Sequence, residues 1–204
     1  MERTVFEGLT EKYREQLIAI REAAHRAHDR VNQTYGGNLP YGFHLDRAAK
    51  ELFEYGHEVL ADERDFLPLC IGVWFHDSIE DARYTYHDML KQAVELGMDE
   101  DQAYLASEIV YALTNEKGRT RKERADARYY EGIRSTPYAP FAKMCDRLAN
   151  IRFSLENQSG GNRHMALVYR EELPGFLQSV AVSSDDIRFG IPVRMVDACR
   201  RLVE

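Results

Sequence analysis

Apolar residues recur along most of the chain at the spacing of an amphipathic helix, at positions i, i+3, i+4 and i+7. Alternating apolar and polar runs and Asn-Gly turns, which would indicate strands and hairpins, do not stand out. We therefore predict an all-α protein, a helical bundle of about nine helices. The predicted helices cover residues 9–33, 44–60, 66–82, 86–97, 101–115, 120–133, 138–157, 163–180 and 185–203.

Two glycine-rich segments separate predicted helices, TYGGNLPYG at 34–42 and NQSGGN at 157–162. Both lie between helices rather than after a strand, so their glycines do not indicate a phosphate-binding loop of the Rossmann or P-loop kind. No linker or internal repeat is evident, and 204 residues suit one buried core. We expect a single domain over 1–204, with a C-terminal helix at 185–203 packing on the rest.

Charged residues make up 30% of the chain, but the presence of both signs together with 12 Tyr and 9 Phe indicates a folded protein rather than a disordered one. The formal net charge of −7 argues against a nucleic-acid partner, because neutralising phosphates requires an excess of Lys and Arg. A small anionic ligand is compatible with this charge if basic residues cluster locally.

The three cysteines, Cys70, Cys145 and Cys199, are widely spaced and form no CxxC pair, so we expect reduced thiols in the core. The first residues, MERTVFEGLTEKYREQL, lack the apolar stretch of a signal peptide. No segment approaches the ~20 apolar residues that span a bilayer. We expect a cytoplasmic protein without a membrane partner, and the sequence leaves its oligomeric state open, a homo-oligomer included.

The segment VWFHDSIEDARYTYHDML, at 73–90, runs from apolar residues directly into ionisable ones. If the predicted helix continues, His76 shares a face with Glu80, and Asp77 with Asp81. So many carboxylates beside a core helix cost several kcal/mol for each unpaired ion, which a divalent cation would relieve. The alternative is that the helix reaches the surface at Phe75 and the cluster is hydrated.

A metal site needs further ligands, and His44 and Asp146 are the best candidates. His44 follows the first glycine-rich loop, and Asp146 borders an apolar stripe in FAKMCDRLANIRFSL. Imidazole nitrogen combined with carboxylate oxygen suits Mn²⁺, Fe²⁺ or Zn²⁺. Alternatives remain for both residues: a capping or partly exposed histidine, and an aspartate paired with Arg147 or Lys143.

The order of these motifs in a helical chain resembles the HD superfamily of metal-dependent phosphohydrolases. Within that superfamily the chain is most similar to the domain that removes the 3'-pyrophosphate from the alarmone (p)ppGpp, found in bifunctional alarmone enzymes and in small stand-alone hydrolases. The resemblance covers about residues 20–180. The segments that carry it are AHDR at 27–30, PYGFH at 40–44, HDSIEDARYTYHDM at 76–89 and KMCDRLANIR at 143–152.

The resemblance implies roles for particular residues. It makes Glu80 and Asp81 the catalytic acidic pair and places Asn150 against the ribose or phosphate of the substrate. It also makes His28 a candidate for the wall of the substrate pocket. The implied ligands of one divalent ion, most often Mn²⁺, are His44, His76, Asp77 and Asp146.

The second His-Asp pair, His87 and Asp88, has a different interpretation. Thr85 precedes a helical pattern and Asp88 follows three residues later, which is close to a capping box. We therefore expect a structural role for Asp88 and an exposed His87 that binds no metal.

A polyphosphate substrate needs cations from the protein, and the segment from Lys117 to Arg124 has five basic residues and one acidic residue. Lys122 and Arg124 are the best positions for a phosphate contact, although a solvated helix surface explains the same charges equally well.

Two departures from the family leave the substrate open. Leu45 follows His44 where the family normally has proline, and Gln33-Thr34 replaces a basic pair that contacts the nucleotide, with Tyr35 and Tyr41 available for stacking. We predict a Mn²⁺-dependent (p)ppGpp 3'-pyrophosphohydrolase. The alternatives are an HD-type phosphohydrolase acting on another nucleotide, such as a nucleoside phosphate or redox nucleotide phosphate, and a non-catalytic module that binds a nucleotide or a protein.

Overall fold

Twelve α-helices and one short β-hairpin are present in the computed structural model, which describes residues 1–115, 119–156 and 161–203. The side chains of Arg121 and Lys122 lie outside that description. Residues 157–160, most of the second predicted glycine-rich loop, also lie outside it. The helices are α1 (Arg3–Lys12), α2 (Arg14–Asp29), α3 (Gly42–Tyr55), α4 (Phe66–Trp74), α5 (Ser78–Asp81), α6 (Tyr86–Glu95), α7 (Glu100–Leu113), α8 (Arg121–Arg124), α9 (Ala127–Ser135), α10 (Ala139–Glu156), α11 (Gly161–Val180) and α12 (Val193–Val203).

The all-α prediction is confirmed, with one small exception. The first glycine-rich loop contains a hairpin of two-residue strands, β1 (Thr34–Tyr35) and β2 (Leu39–Pro40), with Tyr35 opposite Leu39. Gly36 and Gly37 adopt φ values of 57° and 99°, which side chains disfavour and glycine tolerates, so the chain can reverse between the strands.

Several predicted helices are interrupted in the structure. The helix predicted at 9–33 divides at Tyr13 into α1 and α2, and the one predicted at 66–82 stops at Trp74. The helix predicted at 120–133 divides because the Asp126 carboxylate accepts backbone hydrogen bonds from Arg128 and Tyr129 and so caps a new helix. The segment predicted at 185–203 begins with a short 3₁₀ turn, Ile187–Phe189, before α12. Apolar periodicity does not register breaks of two or three residues, which explains these differences.

Helices α4 and α10 form the interior of the bundle. Every residue of α4 is buried, as expected for a segment that is apolar on all sides. Helix α10 packs against α3, α4, α7, α9, α11 and α12, and α3 packs against α4 as well. The start of α3, the end of α4 and the middle of α10 therefore lie close together.

The cysteines and the C-terminal helix lie where the sequence predicted them. Cys70, Cys145 and Cys199 are buried and free. The C-terminal helix α12 packs on α10 and α11. Among the residues that the structure describes, no helix combines the length and the apolar character needed to cross a bilayer.

A substitution at Gly72 tests the close packing of α4 on α7. A Cβ atom at this position would lie 2.5 Å from Cγ2 of Ile109, whereas one at Gly8 in α1 would have open space. We expect Gly72→Ala to lower the free energy of unfolding by about 1 to 3 kcal/mol through overpacking. Gly8→Ala, the control, should raise it by roughly 0.5 to 1 kcal/mol because alanine restricts the unfolded chain. Urea denaturation measures both, and equal stability of the two variants would contradict the close approach.

Candidate metal centre

Three segments of the chain bring ionisable side chains to one buried point. His44 lies in the first turn of α3, His76 and Asp77 follow the end of α4, and Asp146 lies in the middle of α10. Both histidine side chains are 2% exposed, and those of Asp77 and Asp146 are 17% and 13% exposed. Because His44 and Asp146 are 102 positions apart in sequence, only the packing of α3, α4 and α10 brings the four residues together.

The end of α4 determines where His76 and Asp77 point. The backbone leaves the helix at Phe75, where ψ is 10°. The His76 side chain donates from Nδ1 to the carbonyl oxygen of Val73 at 2.8 Å, because a carbonyl can only accept. The prediction of one continuous helix through 82 is therefore wrong, since this local bond helps to end α4. His76 and Asp77 lie in the break, and Glu80 and Asp81 lie in the separate helix α5.

The break leaves Nε2 of His76 facing Nε2 of His44 at 3.1 Å. Oδ2 of Asp77 lies 2.9 Å from the His76 nitrogen and 3.7 Å from the His44 nitrogen. Oδ1 of Asp146 lies on the His44 side, at 3.3 Å from His44 Nε2 and 3.7 Å from His76 Nε2. Two nitrogens and two carboxylate oxygens thus surround one small volume.

The distances of 3.1 Å between the two imidazole nitrogens and of 3.3 Å between His44 Nε2 and Asp146 Oδ1 match the spacing of ligands around one ion, and the two distances of 3.7 Å are wider. Two donor atoms that each lie about 2.1 Å from a shared ion are roughly 3.0 to 3.4 Å apart when they subtend an angle between square and tetrahedral. The ligand atoms of His44, His76 and Asp77 all lie within 4.8 Å of one another. This buried group could hold a metal ion.

The electrostatics of the group show that it attracts positive charge. Burial by itself lowers the pKa of His76, but the Asp77 carboxylate, together with Asp146 and the Val73 carbonyl, outweighs burial and raises this pKa to about 9. In turn, although burial opposes its ionisation, Asp77 has a lowered pKa because of the His76 imidazole. A proton or a metal cation therefore has to share this volume with the carboxylates.

Asp146 has a protein cation of its own. Lys143, one turn earlier on α10, donates to Oδ2 of Asp146 at 2.9 Å. Although burial of both groups opposes their charged forms, this pairing raises the pKa of Lys143 and lowers that of Asp146. The pairing considered as an alternative to metal binding is thus present, but it uses Oδ2 and leaves Oδ1 facing the histidines.

Asn150 supports Asp146 from the next turn of α10. Its Nδ2 donates to Oδ1 of Asp146, and its Oδ1 accepts a hydrogen bond of 2.7 Å from the Tyr35 hydroxyl. Asn150, the predicted substrate contact, therefore joins the hairpin to the candidate metal centre. The link to Tyr35 could not be read from the sequence, because the two residues are 115 positions apart.

Tyr41 and His28 support the opposite side of the centre. The Tyr41 hydroxyl donates to Oδ2 of Asp77, and its ring stacks on His28 at 4.5 Å between ring centroids. His28 is fully buried and does not line the cavity, which corrects its expected place on the substrate wall. Instead it contacts Gln33 at 2.6 Å, and Gln33 donates to Oδ2 of Asp81 at 2.6 Å.

Glu80 is held near the centre by groups that the sequence did not identify. Nδ2 of Asn115 donates to Oε2 of Glu80 at 2.6 Å, and Nη1 of Arg124 lies 3.6 Å from Oε1. Burial raises the pKa of Glu80, and the negative charges of Asp77 and Asp81 raise it further. Glu80 is therefore better suited than an ordinary surface glutamate to take up or release a proton near neutral pH.

The centre opens into a cavity of about 800 Å³. Its wall includes Glu80, Asp81, Asn150 and Tyr41 among the predicted site residues, together with His44, Asp77 and Asp146. Helix α11 forms another part of the wall, through residues such as Tyr169 and Phe176. The volume is sufficient for a ligand of nucleotide size.

Cations line the same cavity. Arg124 does so as predicted, whereas the Lys122 side chain and Lys117 lie outside the described residues. Lys143 and Arg147 of α10 add two positive charges that the sequence did not indicate as ligand contacts. Arg147 is buried, pairs with Glu172 at 2.8 Å and lies over the Phe176 ring at 4.2 Å.

Asp88 of the second His-Asp pair has a structural role, as predicted. Thr85 and Asp88 form a capping box at the start of α6, with each side chain bonded to the backbone of the other residue. His87 is exposed.

Comparison of the sequence with models of protein families and with curated proteins gives no match.

The effect of added metal on the stability of the protein tests whether the candidate centre binds an ion. At a free-ion concentration of 100 times the dissociation constant, Mn²⁺ or Zn²⁺ should stabilise the protein by about 2.7 kcal/mol, measured as a rise in Tm. His76→Ala should lose this rise because it removes a ligand nitrogen, whereas His87→Ala, an exposed histidine 11 positions later, should keep it. An equal rise in both variants would mean that the ion binds elsewhere.

Proposed function

We propose that the protein is a metal-dependent phosphohydrolase that acts on a nucleotide, and that its substrate is (p)ppGpp, from which it removes the 3'-pyrophosphate to give GDP or GTP. The observation that carries the proposal is the convergence of two buried imidazole nitrogens with two carboxylate oxygens beside a second acidic pair, Glu80 and Asp81, at the wall of one cavity. The motif resemblance to alarmone hydrolases supplies the reaction class.

The donor set fits a divalent transition metal. Two neutral imidazoles with two carboxylates are typical ligands of Mn²⁺, Fe²⁺ or Zn²⁺, and Mn²⁺ is our first choice from the resemblance. His44, His76, Asp77 and Asp146 would hold the ion. A divalent ion in such a site would supply Lewis acidity toward phosphoryl oxygens and would lower the pKa of a water molecule toward neutrality.

The protein side chains provide the proton transfers and the orientation of the substrate. Glu80, with its raised pKa, accepts the proton of the attacking water, while Asp81 is fixed by Gln33 to orient that water. Water attacks the phosphorus attached to the ribose 3'-oxygen, the bond from that phosphorus to the 3'-oxygen breaks, and the 3'-oxygen receives the proton that Glu80 took from the water. Pyrophosphate leaves, so the atoms of one water are divided between the two products.

Three cations of the wall are placed to contact an anionic substrate, in a chain of net charge −7. They are Lys143 and Arg147 of α10 and Arg124 of α8, and each also lies beside a carboxylate of the same wall. Because the wall carries five carboxylates, a bound divalent ion would be needed as well to balance the charge on phosphoryl oxygens. We expect no nucleic-acid or membrane partner.

One observation favours a different nucleotide as a second candidate. Gln33 replaces one residue of the family's basic pair, and both ends of its amide are engaged, one with His28 and one with Asp81. Gln33 does not line the cavity, and position 33 offers the substrate no cation. A nucleoside phosphate or a redox nucleotide phosphate with fewer charges would suit the cavity.

A panel of nucleotides separates these candidates. Mn²⁺-loaded protein should release pyrophosphate from ppGpp, with GDP as the second product, measured by ion-exchange chromatography. Loss of phosphate from another nucleotide, with ppGpp left intact, would favour the second candidate. Binding without turnover of any member would identify a non-catalytic module.

Two aspartate variants separate chemistry from metal binding. Asp81→Asn should retain the ion and lower kcat by about 10²- to 10⁴-fold, because it removes the carboxylate that orients water. Asp146→Ala should lose both metal and turnover, and the capping-box variant Asp88→Asn should keep both. Metal content by elemental analysis and turnover by product assay measure them. Full metal retention by Asp146→Ala would contradict the ligand assignment.

A further inference from the structure

The two histidines of the metal centre are supported in different ways. His76 donates from Nδ1 to the Val73 carbonyl, which fixes its ring and directs Nε2 into the centre. A metal-ligating histidine ordinarily has such a partner on its second nitrogen. Nδ1 of His44 is buried and has no hydrogen-bond partner within the part of the chain that the structure describes. Something other than a hydrogen bond at Nδ1 therefore orients His44.

Tyr35 contacts the His44 ring directly. The two rings are stacked, with centroids 4.7 Å apart and planes inclined by 20°. A flat, half-buried aromatic face on an imidazole restricts the rotation of that ring about its side-chain bonds. The contacts of the His44 ring with Tyr41, at 5.5 Å, and with His76, at 5.1 Å, are both edge-to-face and so leave the ring face to Tyr35.

The same tyrosine also supports the ligand on the far side of His44. Its hydroxyl donates to Oδ1 of Asn150, so that the amide must present Nδ2 to Oδ1 of Asp146. One side chain thus acts on two donor atoms that lie 3.3 Å apart, Nε2 of His44 through the ring and Oδ1 of Asp146 through the amide.

The hairpin holds Tyr35 in place against α10. Tyr35 is in β1 opposite Leu39, and the turn at Gly36 lies against the Phe153 ring, where a Cβ atom would come within 2.5 Å. Tyr35 also packs on Phe153 at 4.5 Å between centroids. The tyrosine is therefore anchored to α10, the helix that carries Asp146 and Asn150.

We propose that Tyr35 is a positioning residue of the metal centre, where its ring orients His44 and its hydroxyl orients Asp146 through Asn150. This inference rests on the proposed metal site but not on any particular substrate. It also assigns a role to a residue that sequence reasoning considered only as a stacking platform for the substrate.

Two substitutions separate the ring from the hydroxyl. Tyr35→Phe keeps the stacked ring and removes the bond to Asn150, and it should weaken binding of Mn²⁺ about tenfold, as loss of an outer-shell partner does. Tyr35→Leu removes both supports and should weaken binding further, up to about 100-fold. Isothermal titration with the metal alone measures both constants, without any substrate.

Tyr86 provides a matched control. It is a partly buried tyrosine whose hydroxyl donates to Glu108 at 2.6 Å and whose ring packs edge-to-face on Tyr111, and it does not line the cavity. Tyr86→Phe and Tyr86→Leu should leave the metal affinity within twofold of the wild type. The visible spectrum of Co²⁺-loaded protein gives a second readout, since altered ligand orientation changes its bands while a general loss of stability does not.

These measurements distinguish failure of the metal site from failure of the role proposed for Tyr35. A wild-type protein that binds no divalent ion would overturn the metal centre, and the role of Tyr35 with it. Wild-type binding combined with unchanged affinity and unchanged Co²⁺ spectra in both Tyr35 variants would overturn the positioning role alone. A graded loss, Phe then Leu, with unchanged Tyr86 controls, supports the proposal whether or not any nucleotide is hydrolysed.

Discussion

The approach of two buried imidazole nitrogens to 3.1 Å is the interaction on which the centre depends. Such an approach places lone pairs and neighbouring carboxylates in a volume from which water is largely excluded, which is unfavourable without positive charge. The fold imposes it through the packing of α3, α4 and α10. Because proteins retain such costly arrangements chiefly where they have a use, the centre is the natural starting point for function.

Support around the four candidate ligands comes from every side of the centre. The Val73 carbonyl fixes His76, Tyr41 contacts Asp77, and Lys143 and Asn150 contact Asp146. Asn115 and Gln33 hold the second acidic pair in the same way. These contacts link α5, α10 and the hairpin, so the geometry of the centre and the packing of the bundle stabilise each other.

Helical class, the capping box at Thr85 and the buried cysteines were predictable because each depends on local pattern or composition. The break after Trp74 was not, because it rests on a side-chain bond from His76 to the Val73 carbonyl that apolar periodicity does not encode. His44 and Asp146 were candidate ligands from their local sequence, with other roles open for each, and the motif resemblance favoured their joint role. The contacts of Tyr35 with Asn150 and of Asn115 with Glu80 join distant segments, so the sequence did not predict them. The burial of His28 beneath Tyr41 was not predictable either, because it depends on tertiary packing.

The ammonium group of Lys143, 2.9 Å from Asp146, would influence which cations the proposed centre accepts. It would repel an incoming divalent ion and offset part of the carboxylate charge on which Ca²⁺ and Mg²⁺ mainly depend. Ions with a strong affinity for imidazole nitrogen would be penalised less, because their binding would rest on His44 and His76 as well. Without an ion, the lysine still balances the buried carboxylate of Asp146.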